Sequence, residues 1–298
     1  MKKLFNLIAL SIVLFCTSCL ESENLFEQKL GVNQFYIVSG GNRPAYAHQA
    51  RMFTYNLDYN TVKADITMDS VRFSPMMPAI TMELKDLPFV ASQSGTRISG
   101  VNLVPEVDGN PMPDYTLTYF NARLATSSIT NMTSSVVAFT VNNSINVSAF
   151  PIPTTFEHNS QTYVNNPISS DSNSDYTFDT AKYAIYVNTN TGLAQLCLFN
   201  VKFADKMPAL NMIFPDLEFK PTNSGFNISK NEFIPCLNNA ERTPAPNYPI
   251  SQFNASVVDG RVVISFICSV KQDEHDTVPV VYNVNSTAYM FASETTIK

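Results

Sequence analysis

The chain has 298 residues, of which 45% are hydrophobic and 15% are charged. This balance excludes intrinsic disorder and supplies apolar material for about two packed domains. Loss of Lys2 and Lys3 with an amino-terminal signal takes the formal charge from −6 to −8. Because phosphate neutralisation dominates nucleic-acid binding, an acidic chain without a Lys/Arg cluster excludes nucleic acid as a partner.

The amino terminus predicts a lipoprotein signal at residues 1–18. The apolar run from Leu4 to Phe15 is shorter than the ~20 residues that span a bilayer, so it indicates an export signal. Ser18 is the small residue that lipoprotein processing requires before a cysteine, whereas Phe15 before Cys16 is not. Cys19 is therefore the predicted lipidation site, and an ordinary cleaved signal with a free Cys19 is the alternative.

The segment around Cys19 resembles a bacterial lipoprotein lipobox, and the acidic cluster Leu20-Glu-Ser-Glu-Asn24 behind it resembles the surface-export signal of Bacteroidales lipoproteins. Cys16 stands where Leu is usual, so the motif is relaxed. The resemblance implies a protein held by lipid in the outer membrane and exposed at the cell surface. Acyl chains contribute about 0.8 kcal/mol per buried methylene, so they hold a protein at a bilayer without a membrane-spanning helix.

One stretch of the sequence occurs twice at a constant shift of 130 residues. Residues 71–89 align with 201–219, and Val, Phe, Met-Pro-Ala, Met, Asp-Leu and Phe keep their places. Further matches extend the alignment on both sides, so the chain predicts two copies of one unit. Met-Pro-Ala is interpreted as a structural turn, because Pro78 and Pro208 lack an amide donor and belong at a strand start, an edge or a bulge.

From Phe35 onward the sequence predicts an all-β body. Short segments rich in β-branched and aromatic residues are separated by Gly, Pro, Asn and Asp, and no 3.6-residue apolar period persists. Asp259-Gly260 between two apolar alternations predicts a two-residue hairpin. In the second copy the predicted strands cover 182–189, 193–203, 210–219, 225–229, 248–258, 261–270, 278–283 and 287–292.

Composition also predicts the boundary between the copies. Residues 165–175 are a Ser/Asn/Asp run with one large apolar side chain, which cannot bury enough surface to offset the entropy of ordering. The predicted organisation is a signal peptide at 1–18, a tether at 19–34, a first β domain at 35–163, a linker at 164–175 and a second β domain at 176–298.

Several short motifs recur within residues 50–123 and 181–255: Met-Pro, Asp-Leu-x-Phe, Ile-Ser, Val-Pro or Ile-Pro, and Pro-x-Tyr. Their combination is similar to repeats of Bacteroidales lipoproteins with calycin-like, or lipocalin-like, β-barrel domains. The resemblance implies two tandem antiparallel β-barrels or strongly bent β-sandwiches, with calycin-like barrels favoured over immunoglobulin-like sandwiches. It brings no catalytic residue.

The sequence offers few groups for catalysis or metal binding. His48, His158 and His275 belong to no His-x-x-x-His or His-Glu pattern, and zinc needs three or four convergent ligands. No Gly-x-Ser-x-Gly nucleophile motif is present. We therefore predict no catalytic, cofactor-binding or metal residues, no cofactor and no enzyme activity.

Three cysteines lie in the second copy: Cys197, Cys236 and Cys268. An odd number cannot all pair within one chain, although an exported protein permits one disulfide. The first copy has Thr67 and Glu106 where the second has Cys197 and Cys236, so the unit does not need a disulfide. Buried thiols are the favoured interpretation.

These features predict a non-catalytic, lipid-anchored cell-envelope protein that acts as a binding or assembly module. The predicted partners are the membrane, through Cys19, and a glycan, a small apolar ligand or an envelope protein. Aromatic platforms are the expected device for glycan binding, and with no Trp and much of the Phe explained by core alternation the sequence signal for it is neutral to slightly negative, although exposed tyrosines such as Tyr46 or Tyr163 can stack on sugars. One alternative is an apolar ligand held within a barrel. Another is a polysaccharide hydrolase, which needs two carboxylates about 5 to 9.5 Å apart.

Overall fold

The computed structural model describes residues 27–167, 175–203, 207–270 and 280–292. Over these ranges the chain forms two antiparallel β-sheets, with a short 3₁₀ turn at Pro113–Tyr115. The predicted all-β class is confirmed. In this part of the chain no helix is both long and apolar enough to pass through a membrane. The predicted signal and Cys19 lie outside the described residues.

The first sheet closes into an eight-stranded barrel. Its strands are β1 (Glu27–Gly41), β2 (Tyr46–Asp58), β3 (Lys63–Val71), β4 (Ile80–Ser92), β5 (Gly95–Gly100), β6 (Glu106–Val107), β7 (Asn110–Pro111), β8 (Leu117–Thr126), β9 (Thr133–Val141) and β10 (Ile145–Pro151). Neighbours along the chain pair from β1 to β5, β5 pairs with β8, and β10 returns to β1. The short β6 and β7 form a side hairpin against β4. Closure leaves these eight strands without a free edge.

The second sheet repeats this arrangement. Its strands are β11 (Thr154–Phe156), β12 (His158–Asn165), β13 (Tyr176–Phe178), β14 (Lys182–Asn188), β15 (Leu193–Val201), β16 (Leu210–Pro221), β17 (Gly225–Phe233), β18 (Cys236–Leu237), β19 (Ile250–Val258), β20 (Arg261–Val270) and β21 (Val280–Tyr289). Thr154 of β11 lies opposite Ile185 of β14, and Thr162 of β12 lies opposite Phe178 of β13. The paired residue numbers add up to 339 in the first pair of strands and to 340 in the second, so the two pairings share one register to within one residue. The segments 154–165 and 176–188 therefore run side by side and close a second eight-position barrel.

The chain passes from the first sheet to the second between Pro151 and Thr154. Residues 154–163, which the sequence interpretation assigned to the first domain, thus pair within the second barrel, and the predicted linker 164–175 begins inside β12. Polar inward residues such as Ser160 and Thr162 disguised this strand. At the amino terminus β1 starts at Glu27, so residues 27–34 of the predicted tether are also strand.

The predicted strands of the second copy agree with β14 to β20 within a few residues. Asp259 and Gly260 form the predicted two-residue turn, and both have positive φ. One strand, β21 (Val280–Tyr289), stands where the sequence predicted two, at 278–283 and 287–292, and residues 278 and 279 lie outside the described residues. Asn285 and Ser286 look like turn residues, but Asn285 is solvent-exposed and Ser286 is buried and hydrogen-bonded.

The repeated Met-Pro-Ala stretch directly precedes a strand in each barrel, and its methionine packs in the core. Phe73 and Met77 belong to the core of the first barrel, and Phe203 and Met207 occupy the matching places in the second. The next strand begins two residues after each proline, at Ile80 and Leu210. The predicted turn role of Met-Pro-Ala is therefore confirmed, and Phe and Met are its buried part.

The outer wall of the first barrel packs into the second. Phe35 and Ile37 face the first core, whereas Tyr36 between them is buried in the second. The Tyr36 ring lies edge-on to Phe226 at 5.2 Å between centroids, and its hydroxyl is 2.7 Å from Thr154 Oγ1. A Cβ atom added at Gly40 would lie 2.5 Å from Asn223 Cα in the β16–β17 turn. The two barrels therefore meet through a packed apolar contact.

Candidate functional site

The two copies differ most clearly on their outer walls. In the first barrel, Thr67, Glu83 and Glu106 lie opposite one another across three strands, and the Lys85 ammonium pairs with Glu106. The matching row of the second barrel is Cys197, Ile213 and Cys236. One copy thus carries a charged row where the other carries an apolar row. The two positions at which the sequence showed a cysteine in the second copy alone, 67/197 and 106/236, both belong to this row.

All three described cysteines are free thiols. Cys197 and Cys236 both flank Ile213, so two strand spacings, about 10 Å, separate their Cα atoms. A disulfide needs less than about 7 Å. Burial raises the pKa of Cys197, and it raises the pKa of Cys268 to about 12.

The predicted histidines and Tyr46 do not form a site. Burial lowers the pKa of His48, and its Nε2 has no hydrogen-bond partner among the described residues. His158 lies opposite Tyr289, and His275 lies outside the described residues. Tyr46 is half-buried with the Arg72 guanidinium 5.9 Å from its ring centroid. Within the described ranges no group of three or more His, Cys, Asp or Glu is placed to hold a metal ion.

A groove of about 560 Å³ on the first barrel is lined by four acidic residues, Glu27, Asp58, Asp65 and Asp86. Asp58 accepts hydrogen bonds from the Thr61 hydroxyl and from the Asn60 amide, and the bond from Thr61 lowers its pKa most. Asp65 accepts the amide of Asp86 at 2.9 Å. A general acid needs a raised pKa, so the lowered pKa of Asp58 suits this carboxylate to fixing its turn.

The candidate site is a groove of about 670 Å³ on the second barrel, here called the Tyr163 groove. Strand pairing fixes its floor. Tyr163 of β12 lies between Thr177 of β13 and Asn285 of β21, and Gln161 lies beside Thr287. Directly paired residues share a face of the sheet, so these five side chains all point away from the core. Val263, Phe178 and Asp179 add to the lining.

Tyr163 is the exposed aromatic of this groove, with 43% of its surface accessible. Its hydroxyl donates a hydrogen bond of 2.6 Å to Asp175 Oδ2, and that bond raises the pKa of Tyr163. The bond ties the end of the ring to the neighbouring chain segment. A ring fixed before binding loses less conformational entropy when a ligand stacks on it.

A buried polar cluster supports the groove from inside the barrel. Ser286 Oγ lies 2.7 Å from Thr162 Oγ1 and 2.6 Å from the Tyr183 hydroxyl. Burial raises the pKa of Tyr183, so the phenol stays neutral and can donate. These bonds join β12, β14 and β21 beneath the outward row. The outward side chains therefore stand on a rigid floor.

No protein-family model matches the chain, and no curated protein sequence is similar to it. Among solved structures, a Bacteroides fragilis protein provisionally described as an outer membrane protein aligns with 89% of this chain and with 97% of its own length. The alignment has 12% sequence identity and a TM-score of 0.33. A likeness of that size carries no argument about fold, location or function.

Sequence reasoning named Tyr163 but missed its neighbours Gln161, Thr177, Asn285 and Thr287. Their signal was present in part, since polar outward residues alternate with Val284, Ser286 and Ala288 along β21. Which strands lie beside β12 depends on barrel closure. No local pattern in the sequence encodes that pairing.

Proposed function

We propose that the protein is a non-catalytic, lipid-anchored cell-envelope protein whose second barrel binds a carbohydrate chain in the Tyr163 groove. One observation carries the proposal: an exposed, fixed aromatic ring stands in a row of outward amide and hydroxyl side chains. An aromatic face packs against the apolar face of a sugar, and the amides donate and accept hydrogen bonds with sugar hydroxyls.

The charge of the groove supports an uncharged, hydroxyl-rich ligand. Asp179 is the charged side chain among its lining residues, and the row from Thr177 through Tyr163 to Asn285 is neutral. A nucleic acid or another polyanion would meet no cation in this row. By strand pairing Tyr163 takes the place of Val38 in the first copy, since Tyr163 pairs with Thr177 and Val38 pairs with Ala47, 130 residues earlier. Val38 is buried, so the exposed aromatic contact belongs to the second copy.

The interiors of both barrels favour the outer face over an internal ligand site. Large rings such as Phe35, Phe53, Phe120 and Phe139 occupy the first core, and Phe203, Phe214, Phe253 and Phe266 occupy the second. An eight-stranded barrel is just wide enough for side chains to fill it. A small apolar ligand would have to displace packed side chains.

The binding test uses residues 25–298, which contain every described strand of both barrels. We expect saturable binding to at least one uncharged polysaccharide on a glycan array, measured again by calorimetry. Tyr163→Ala should weaken it about tenfold, since stacking supplies most of the apolar contact. The matched control is Tyr119→Ala, an equally exposed tyrosine of the first barrel. Absence of binding to every polysaccharide would favour an assembly role.

The anchor is tested separately in the full-length chain. Cys19 lies eight residues before β1, so acyl chains on it would hold the first barrel close to the bilayer surface. We expect the wild type to fractionate with membranes and to incorporate labelled palmitate. Cys19→Ala should lose both properties, and Cys16→Ala should keep them. Label on Cys16 instead of Cys19 would contradict the proposed site.

A further inference from the structure

The outward face of the second barrel continues beyond the Tyr163 groove to a second aromatic residue. Arg261 and His158 flank Tyr289 in the strand pairing, and Val263 flanks Thr287. Asn285, Thr287 and Tyr289 are alternate residues of β21 and share one face. Tyr289 and Val263 are both exposed, at 36% and 41% of their surface.

Tyr163 and Tyr289 are separated along the strand direction. Tyr163 lies beside Asn285, and Tyr289 follows Asn285 by four residues. At about 3.4 Å per residue the two tyrosines stand about 14 Å apart along β21, with Gln161, Thr287 and Val263 between them. The Arg261 guanidinium lies 5.9 Å from the Tyr289 ring centroid, so hydrogen-bond donors stand beside that ring.

We infer that this face binds an extended, uncharged polysaccharide chain along β21, with sugars stacked at Tyr163 and at Tyr289. The inference rests on the proposed carbohydrate function and adds its ligand class, an extended chain in place of a chain end or a single sugar. Outward side chains cover the whole interval between the rings. A disaccharide reaches one ring, whereas a longer oligomer reaches both.

The test is a length series of linear glucose, xylose and mannose oligomers, from disaccharides to octasaccharides, measured by calorimetry on residues 25–298. We expect affinity to rise with length until both tyrosines are spanned and then to level off. Tyr289→Ala should remove that rise, lowering affinity about tenfold for long oligomers and little for disaccharides. Tyr163→Ala should weaken every length, and Tyr289→Phe should keep the rise.

The possible failures are distinguishable. Binding that is independent of length, or long-chain binding that Tyr289→Ala leaves unchanged, would overturn the extended site and leave the Tyr163 groove standing. Tighter binding of oligogalacturonate, which is negatively charged, than of the neutral glucose, xylose and mannose oligomers would overturn the proposal that the ligand is uncharged. Absence of binding to these oligomers and to every arrayed polysaccharide would overturn the carbohydrate function itself. Unchanged thermal unfolding of each variant shows that a lost affinity is local.

Discussion

At the scale of single residues, the three thiols of residues 25–298 differ in accessibility. Cys268 and Cys197 are buried, and Cys236 is partly exposed at the edge of its apolar row. Only a thiolate reacts rapidly with a maleimide, and burial raises the pKa of both Cys197 and Cys268. We expect one thiol to react quickly in the native protein and three after unfolding, measured by intact mass.

The control is Cys236→Ser, which should abolish the fast reaction. Rapid labelling of two thiols, or a mass lower by the two hydrogen atoms that a disulfide lacks, would contradict the arrangement. The sequence favoured buried thiols because the first copy lacks them. It could not show that Cys197 and Cys236 share an outer row, since that depends on β18 lying beside β16.

At the scale of elements, the two neighbouring methionines of the repeated stretch offer a matched pair. Met77 is 7% exposed within the first core, whereas Met76 is 92% exposed. Met77→Ala should lower the free energy of unfolding by about 2–5 kcal/mol, because it leaves a cavity. Met76→Ala should change it by less than about 0.5 kcal/mol. Urea unfolding measures both, and equal effects would exclude the proposed packing of this loop.

The repeat itself predicts which methionine matters. A shift of 130 aligns Met77 with Met207 and Met76 with Lys206. Position 77/207 is therefore apolar in both copies, whereas position 76/206 is not.

Strands with inward apolar alternation, such as β16 and β20, were also predictable from the sequence. Strand β12 was not, because its inward Ser160 and Thr162 mimic a loop sequence. The candidate groove stands on that strand, so most of its lining residues were missed for the same reason.

At the scale of the whole molecule, a carboxylate between β11 and β12 ties the two barrels together. Glu157 accepts hydrogen bonds from the Ser127 and Ser128 hydroxyls and from the Ser128 and Ile129 amides in the β8–β9 turn. Burial alone would raise the pKa of Glu157, but these bonds outweigh it, and the pKa lies below its ordinary value of 4.5. The ionised form therefore favours the folded state.

This lowered pKa gives the contact a pH dependence. Its contribution is complete above the ordinary glutamate pKa and is lost as pH falls through the folded-state pKa. Glu157→Gln should lower the free energy of unfolding by about 1 kcal/mol near neutral pH, since the carboxylate is half exposed. The difference from wild type should shrink in acid. Urea unfolding at several pH values tests this, with the exposed Glu232→Gln as control, and a constant difference would refute it.

A larger loss of unfolding free energy is predicted at the apolar contact between the barrels. Tyr36 extends from a strand of the first barrel into the core of the second, where it contacts Phe150, Phe219 and Phe226. Its removal leaves a cavity in a core that both barrels share. Tyr36→Ala should therefore cost about 3–5 kcal/mol. Tyr36→Phe should cost about 1 kcal/mol, because Thr154 Oγ1 still donates to the Pro151 carbonyl.

A shared core also sets how the molecule unfolds. Because Tyr36, Val38 and Phe150 belong to the apolar cluster of the second barrel, neither barrel can open without exposing part of the other. Calorimetry should show one transition for the wild type and for Tyr36→Phe. Tyr36→Ala should lower the transition temperature or separate it into two steps. Two independent transitions in the wild type would instead mean that the barrels unfold separately, despite the burial of Tyr36.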